Sequence, residues 1–566
     1  MCLYLITAEL RLNYFMHIII IMPYSLGIDL GTSNCCIAFC DQTNHSQVIY
    51  VQGKQLLESV VDFYDPKNIK VGIGARTNNK GFEKGTVVRN NKRVLGRKFD
   101  DNKIKGFKEY CEAKVVEDAD GFCAYDIPGM GGKVSTEDVA VELLKVLYET
   151  AVKKDLGKIE KVCITIPATY TQKQKSITRH AANRVIKNIP IEFISEPSAA
   201  AIHYSLSTSI KNGNVLIYDL GGGTFDVSII RITNGNQYEI LGTSGHPTIG
   251  GCLFDKYLLE LARQKYKKQF DDEDDEDLLP EEKENINVYT SALHKLLDIC
   301  REKKEELSTP GVDRVEIDMS EYFTYLNEER KRHGCSDYDA DDDDDEPAIE
   351  ECIEIEITRD DFERLITQDI KTTIDLTKEC IETCGLSKNE IEHVLLVGGS
   401  SHLPKVKKLL REEFGEKKIG ADINADTCVA CGAALRGQDD FAGFEEINKL
   451  VFTERSTFAI AVEKGRNHYQ ELIPANSKLP YSGYKDYKLH ECNPGFFISS
   501  VYEKSGAGNK EYELIKNIVV EDESFYDRAA RIRVEYKLTK EGELTVSFID
   551  LDDNRMLRKE EQRVLD

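Results

Sequence analysis

"YDLGGGTFDV", residues Tyr218 to Val227, decides how the rest of the chain is read. The β-formers Val215, Leu216 and Ile217 run straight into Asp219 and three glycines, and Thr224 and Asp226 follow. A strand–turn–strand of this composition exposes backbone N–H groups beside two carboxylates. Clustered N–H groups bind phosphate oxygens. The carboxylates would repel phosphate, so both fit one ligand only if a hydrated Mg²⁺ stands between them. A second stretch, "GIDLGTSN" (Gly27 to Asn34), repeats Asp-Leu-Gly after another apolar strand, about 190 residues earlier. The repeat predicts two related lobes, each presenting a glycine turn to one ligand between them. The hydroxyls of Thr32, Ser33 and Thr224 add donors. No GxxxxGK[ST] occurs, so this is not a P-loop.

Working outward, strand and helix patterns alternate over the first four-fifths of the chain, an α/β architecture. "SLGIDLG" and "CCIAFC" read as a hairpin, and "VCITIPATY" (Val162 to Tyr170) as a strand before a helix from Gln172. "STEDVAVELLKVLYETAV" starts at a capping Ser135 or Thr136 and carries Val139, Leu143, Val146 and Leu147 at helical spacing. "IEHVLLVGGS" is a buried strand entering a glycine turn, followed by the amphipathic "LPKVKKLLREEF". After about Gly437 the helical patterns stop. "TFAIAVEKG" and "RIRVEYKLTKEGELTVSFIDLDDN" alternate with period two, which predicts a mainly antiparallel β tail. The polar "GQDDFAGFEEIN" between the two regions reads as a linker.

The 566 residues suggest three or four domains of about 150 residues each. A net charge of −25 repels nucleic-acid phosphates and anionic lipid, so neither nucleic acid nor membrane is an expected partner. The 16 cysteines form no framework. Cys35, Cys36 and Cys163 sit in apolar runs and read as reduced core residues of a cytoplasmic protein. "CVAC" (Cys428 to Cys431) lacks the second half of a zinc site and opens an Ala-rich helix. The acidic runs Asp271 to Asp277 and Asp337 to Glu346 read as solvated insertions; the second lacks the glycine of a Ca²⁺ loop. The apolar run Leu12 to Met22 is too short for a membrane span of roughly 20 residues. Residues 1–22 read as a leader with Met22 as the working start, or alternatively as a secretory signal.

With "LLVGGSSHLP" (Leu395 to Pro404), "EPSAAAIHY" (Glu196 to Tyr204) and "DTCVACGAALRG" (Asp426 to Gly437), the set resembles the seventy-kilodalton heat-shock chaperone family, within the actin and sugar-kinase superfamily. "NNKRVLGRKFDD" (Asn90 to Asp101) resembles that family's lysine-bearing segment, and "GGCLFDKYLL" (Gly250 to Leu259) its next glycine turn. The resemblance implies a bilobed actin-like ATPase domain over residues 23–437, with the acidic insertions near 271–283 and 334–350. A linker over 438–456 and a truncated substrate-binding-like β domain over 457–566, without a helical lid, would follow. It implies ATP or ADP with Mg²⁺, and K⁺ as an optional companion ion. By carry-over, Asp29 and Asp219 hold hydrated Mg²⁺ with Glu196 beside them. Gly31, Thr32, Ser33, Asn34, Gly221, Gly222, Gly223, Thr224, Gly250 and Gly251 surround the phosphates. Lys92 offsets charge on the γ-phosphoryl group and, with Asp226, orients the attacking water. Lys304, Ser308, Gly398, Gly399, Ser400, His402 and Asp426 form the nucleoside side. The expected partners are extended or unfolded polypeptide, a J-domain co-chaperone and a nucleotide exchange factor, for a chain acting as a monomer. An interaction protein of ribosomes or other chaperones is the alternative.

Four departures stand out. Glu305 and His402 occupy the positions of two base-flanking arginines, and a carboxylate cannot stack as a guanidinium does; weaker or less base-selective binding is expected. Lys175 stands for an arginine in "IPATYTQKQK". "NKLVFTERS" (Asn448 to Ser456) keeps only Leu450, Val451 and Phe452 of an apolar linker, so weaker docking is expected. Phe496 would either fill the peptide pocket or belong to the β core.

Overall fold

A computed structural model describes residues 23–41, 45–78, 80–81, 84–108, 111–208, 210–270, 286–320, 322, 354–420, 423–438, 450–456, 458–465, 468–488, 496–505, 512–522, 530–539 and 543–561. The leader, both acidic runs and most of the polar linker stretch lie outside the described residues, as does the side chain of Phe496.

The first lobe is built on strands β1 (Pro23–Asp29), β2 (Asn34–Cys40), β3 (Ser46–Val48), β4 (Leu56–Glu58), β5 (Lys158–Ile166) and β6 (Ile191–Ser195). They form one mixed sheet in the order β6-β5-β1-β2-β3, with β4 also paired to β2. β1 and β2 are the expected hairpin, antiparallel from Ser25↔Cys40 to Asp29↔Cys36. β5 is shorter at its end than the sequence suggested: it stops at Ile166, because Pro167 has no N–H to continue the ladder. Helix α1 (Thr136–Lys153) starts where Ser135 and Asp138 form a reciprocal capping box, and it buries Val139, Leu143 and Leu147. Helix α2 (Gln172–Val185) uses Thr171 and Gln174 the same way.

The second lobe repeats the plan. Strands β7 (Gly213–Leu220), β8 (Phe225–Thr233), β9 (Gln237–His246), β10 (His393–Val397) and β11 (Val451–Thr453) make a sheet in the order β10-β7-β8-β9-β11. Between the sheets lie helices α3 (Glu196–Thr208) and α8 (Cys428–Gly437), joined by a core of small residues including Ala199, Ala200, Ala430 and Ala433. Their approach is close enough to dictate composition. A Cβ on Gly432 would lie 1.8 Å from the Ala199 carbonyl oxygen, and one on Gly27 would lie 2.1 Å from that of Ala430. Helices α4 (Gly251–Phe270), α5 (Ile286–Leu307), α6 (Arg359–Thr383) and α7 (Pro404–Phe414) complete the second lobe. Among the described residues, no helix is long and apolar enough to cross a membrane.

The segment read as a weakly docking linker is docked here. β11 adds in parallel to the edge strand β9, with Tyr238 opposite Phe452. The two rings stack at 5.0 Å, and the Arg436 guanidinium lies 5.0 Å from the Phe452 ring. Backbone pairing and aromatic contact supply what the missing leucines do not.

The β tail is two four-stranded sheets around one core that includes Ile460, Val501, Val534 and Phe548. β12 (Phe458–Gly465) and β15 (Phe496–Ser505) pair in one sheet, and β17 (Arg531–Leu538) and β18 (Leu544–Asp550) in the other; β13 (His468–Ile473) and β14 (Tyr481–Lys488) lie between β12 and β15 in the chain, and β16 (Glu513–Glu521) between β15 and β17. This tail touches the first lobe at the start of α2: the Gln172 N–H donates to Glu503 Oε2 at 3.2 Å, and Lys175 Nζ lies 5.3 Å from the Phe458 ring.

Candidate functional site in the interlobe cleft

Each lobe delivers an aspartate and a glycine turn from the end of a central strand. Asp29 closes β1, and Asp219 precedes the turn after β7. The turns meet: a Cβ on Gly222 would lie 2.0 Å from Ser33 Oγ, so only glycine allows this contact. A third turn follows β10. Gly398 sits at φ +80°, with its Cβ position 2.7 Å from Asp219 Oδ1, and Ser400 Oγ donates to the Gly221 carbonyl at 2.9 Å. Around these turns lies a cavity of about 640 Å³, within the size range of small-molecule and cofactor pockets.

At its deep end the chemistry is acidic with one cation. Lys92 Nζ pairs with Glu196 Oε1 at 2.5 Å. Thr165 Oγ1, on the strand beside β1, donates to Asp29 Oδ1 at 3.2 Å. Burial and then the Glu196 charge push the Asp29 carboxyl up to about 7, against the pull of Lys92 and Thr165. Burial, Glu196, Asp226 and Asp29 together raise Asp219 well above the ordinary carboxylate range. Burial opposes the charge on Lys92, but Glu196, Tyr170 and Asp29 more than offset it and raise its pKa. Four carboxylates share one ammonium, so the site as built has room for a divalent cation. Among the described residues no three acidic, histidine or cysteine side chains converge closely enough to ligate an ion directly. That donor set suits an ion that keeps its waters, which is the habit of Mg²⁺.

At the other end, Lys304 Nζ bonds Asp255 Oδ1 at 2.5 Å and the Gly251 carbonyl at 3.2 Å. Ser308 Oγ donates to the Lys304 carbonyl at 3.0 Å. His402 Nε2 lies 3.4 Å from Asp426 Oδ2. Glu305 also lines the cavity, with its side chain mostly exposed, and accepts from Nε of Arg301 at 3.3 Å.

Most of the residues singled out from sequence line this one cavity: Asp29, Gly31, Thr32, Ser33, Asn34, Lys92, Glu196, Asp219, Gly221, Gly222, Thr224, Gly251, Lys304, Ser308, Gly398, Gly399, Ser400, His402 and Asp426. Three are not among its lining residues. A Cβ on Gly250 would press on the Gly222 carbonyl at 2.9 Å, and one on Gly223 would meet Thr32 Cγ2 at 2.8 Å, so both serve the packing of the turns. Asp226 accepts from Thr169 Oγ1 at 2.9 Å and Thr224 Oγ1 at 3.2 Å. Burial and Glu196 push its carboxyl up to about 6. Sequence reading missed Thr165 and Thr169, which sit on or just past β5 with no motif of their own. It also missed Arg301, Cys252 and Asp255 on the second-lobe wall.

Two lobes that each offer a strand and glycine turn to a shared acidic cleft define an actin-like ATPase fold, here followed by a mainly β domain. The family described as "Hsp70 protein" matches residues 25–331 and 345–563. The chain belongs to the Hsp70 family, and its function is that of an ATP-dependent molecular chaperone. It is 31% identical over 462 residues to a heat shock protein of Pyricularia oryzae, covering 81% of this chain and 68% of that one. It is 30% identical over 465 residues to a ribosome-associated molecular chaperone of Zygosaccharomyces rouxii, covering 81% and 68%. It is 29% identical over 500 residues to "Heat shock cognate 70 kDa protein 3" of Dictyostelium discoideum, covering 87% and 72%. Members of this family are ATPases that bind ATP or ADP with Mg²⁺.

Proposed function

We propose that this chain binds Mg-ATP in the interlobe cavity, hydrolyses it slowly, and couples the cycle to capture and release of extended polypeptide by its β domain. The observation that supports this most is the meeting of Gly222 with Ser33 above the cluster of Asp29, Asp219, Glu196 and Lys92. In this reading, residues 23–437 are the ATPase unit, 438–456 the linker and 457–566 the peptide-binding unit. The turns at 31–34 and 221–224 surround the phosphates. Asp29, Asp219 and Glu196 hold Mg²⁺ through its waters. The metal, when bound, neutralises charge on the phosphate oxygens. Lys92 brings a fixed positive charge toward the γ-phosphoryl group. Asp226, fixed by Thr169 and Thr224, accepts a hydrogen bond from the attacking water. Positioning and electrostatics supply most of phosphoryl-transfer catalysis, and those are what rigid turns and a buried ammonium provide.

Steady-state hydrolysis by wild type and Lys92→Ala, each with and without a J-domain protein, tests the reading. The wild type turns over and is stimulated; Lys92→Ala falls by about a hundredfold or more, the scale of removing one electrostatic stabiliser. An unchanged rate in Lys92→Ala overturns the mechanism. Docking of β11 onto β9 and the Gln172–Glu503 contact support the coupling. A J-domain co-chaperone, an exchange factor and a cytoplasmic location accompany it.

The second reading, a ribosome- or chaperone-associated interaction protein, is favoured by the name of the Zygosaccharomyces relative. Sedimentation with purified ribosomes at low and high salt, with ADP or ATP, separates the two. Salt-resistant, nucleotide-dependent co-sedimentation supports ribosome association.

A further inference from the structure

The nucleoside end of the cavity contains a cation that the motif reading passed over. Helix α5 forms one wall, and its polar cavity-lining positions, His294, Asp298, Arg301, Lys304, Glu305 and Ser308, recur at helical spacing. Two of the charges on this face are already committed. Lys304 is tied to Asp255 and the Gly251 carbonyl, and Asp298 accepts from Arg89 Nη2 at 2.9 Å. Arg301 is different. Its Nε donates to Glu305 Oε1 at 3.3 Å, one turn further along, and among the described residues its terminal nitrogens make no hydrogen bond to protein. Its side chain is 27% exposed, whereas that of Glu305 is 63% exposed. Both side chains line the cavity, and the guanidinium is the more buried of the two. Burial works against the charge, but Glu305 and Asp255 outweigh it and keep the group cationic.

We propose that Arg301 is the nucleoside-contacting cation of this site, presenting its planar fork to the base and ribose of the bound nucleotide, and that Glu305 is the positioning residue that aims it. Reading position 305 alone put a carboxylate where a guanidinium was wanted and led to an expectation of weak base binding. The fold instead places a guanidinium one turn earlier on the same helix face and turns the carboxylate into its support. A planar guanidinium stacks on heteroaromatic faces and donates to ring nitrogens and hydroxyls, while an ammonium does neither as well. His402 also lines this cavity, from the turn after β10.

The inference rests on the ATP-site reading, and titration calorimetry of the full chain with two probes keeps them apart. Mg-ATP reports phosphates and nucleoside together; Mg-tripolyphosphate reports the phosphate end alone. The wild type binds ATP more tightly than tripolyphosphate. Arg301→Ala and Arg301→Gln lose about tenfold in ATP affinity, the scale of one desolvated cation–π contact, and keep tripolyphosphate affinity within about twofold, which also shows that the site is folded. Arg301→Lys recovers little. Glu305→Gln loses ATP affinity by a smaller factor, and the exchanged pair Arg301→Glu with Glu305→Arg recovers part of it, which a merely structural role would not produce. Arg301→Ala and Arg301→Gln that bind both probes as the wild type does overturn the assignment. A wild type that binds neither probe overturns the ATP-site reading and this inference with it.

Discussion

At the scale of single residues, the site depends on contacts with no slack. The Gly222–Ser33 approach leaves no volume for a methyl group. Gly222→Ala must push the two turns apart, and we expect nucleotide affinity to fall by about tenfold or more, measured by calorimetry, from an overpacking cost of roughly 1–3 kcal/mol. Ser33→Ala relieves that clash, so the double variant recovers part of the loss. What was legible in sequence follows from the same locality. Asp29, Thr32, Asp219 and Thr224 could be named because each sits a fixed step from its glycine turn. Thr165 and Thr169 could not, because they reach the site from a neighbouring strand and the turn after it, through sheet pairing that no local pattern records. Arg301 was passed over because which of two residues one turn apart is the more buried depends on how α5 is seated.

At the scale of elements, two contacts matter most. The first is the crossing of α3 and α8. Gly432→Val would drive a side chain into the Ala199 carbonyl, and thermal unfolding of the variant should show a loss of about 3 kcal/mol or more. The Ala-rich composition of both helices was visible in sequence, and its cause, a close helix crossing under the cleft, was not. The second is the seam between α2, the residues after β11 and the β tail. Glu503 is buried against the start of α2, and burial first, then Glu513, pushes its carboxyl up to about 7, against the pull of the Gln172 N–H and Lys175. Glu454 is raised by burial, opposed by Ser198 and Lys175. Burial lowers Lys175, opposed by both glutamates. A carboxyl whose pKa is raised in the docked state takes up a proton on docking. Its contribution is fully present below the ordinary glutamate value and is lost as pH rises through about 7. The seam should therefore be tighter at pH 6 than at pH 8. Hydrogen exchange of the β11 amides, corrected for intrinsic rate, checks this, and Glu503→Gln should flatten the difference. No sequence pattern linked Gln172 to Glu503, which lie 331 residues apart.

At the scale of the whole molecule, the cleft is closed by ion pairs as well as by turns. Arg76 and Arg89 belong to the first lobe and pair with Glu302 and Asp298 on α5 of the second, Arg76 Nη1 to Glu302 at 2.9 Å. Each is anchored from behind, by Glu58 at 3.0 Å and Glu112 at 3.2 Å. Partly exposed pairs of this kind contribute up to about 1 kcal/mol each. Asp298→Asn should therefore speed ADP release by up to about fivefold in stopped-flow measurements, and added salt should narrow the gap between variant and wild type. The division into two lobes and a β tail was readable from repeated Asp-Leu-Gly frames and from the change of periodicity near Gly437. These cross-lobe pairs were not, because charged residues scattered over a surface carry no sign of which partner they will meet.

The stacking of Phe452 on Tyr238 has an optical consequence. The chain contains no tryptophan. Phe452→Trp would place a lone indole between the Tyr238 ring and the Arg436 guanidinium, where it should emit at shorter wavelength and be partly quenched. Release of the strand into solvent would shift that emission to the red. One substitution thus turns the docked segment into a spectroscopic gauge, readable in real time as nucleotide is added.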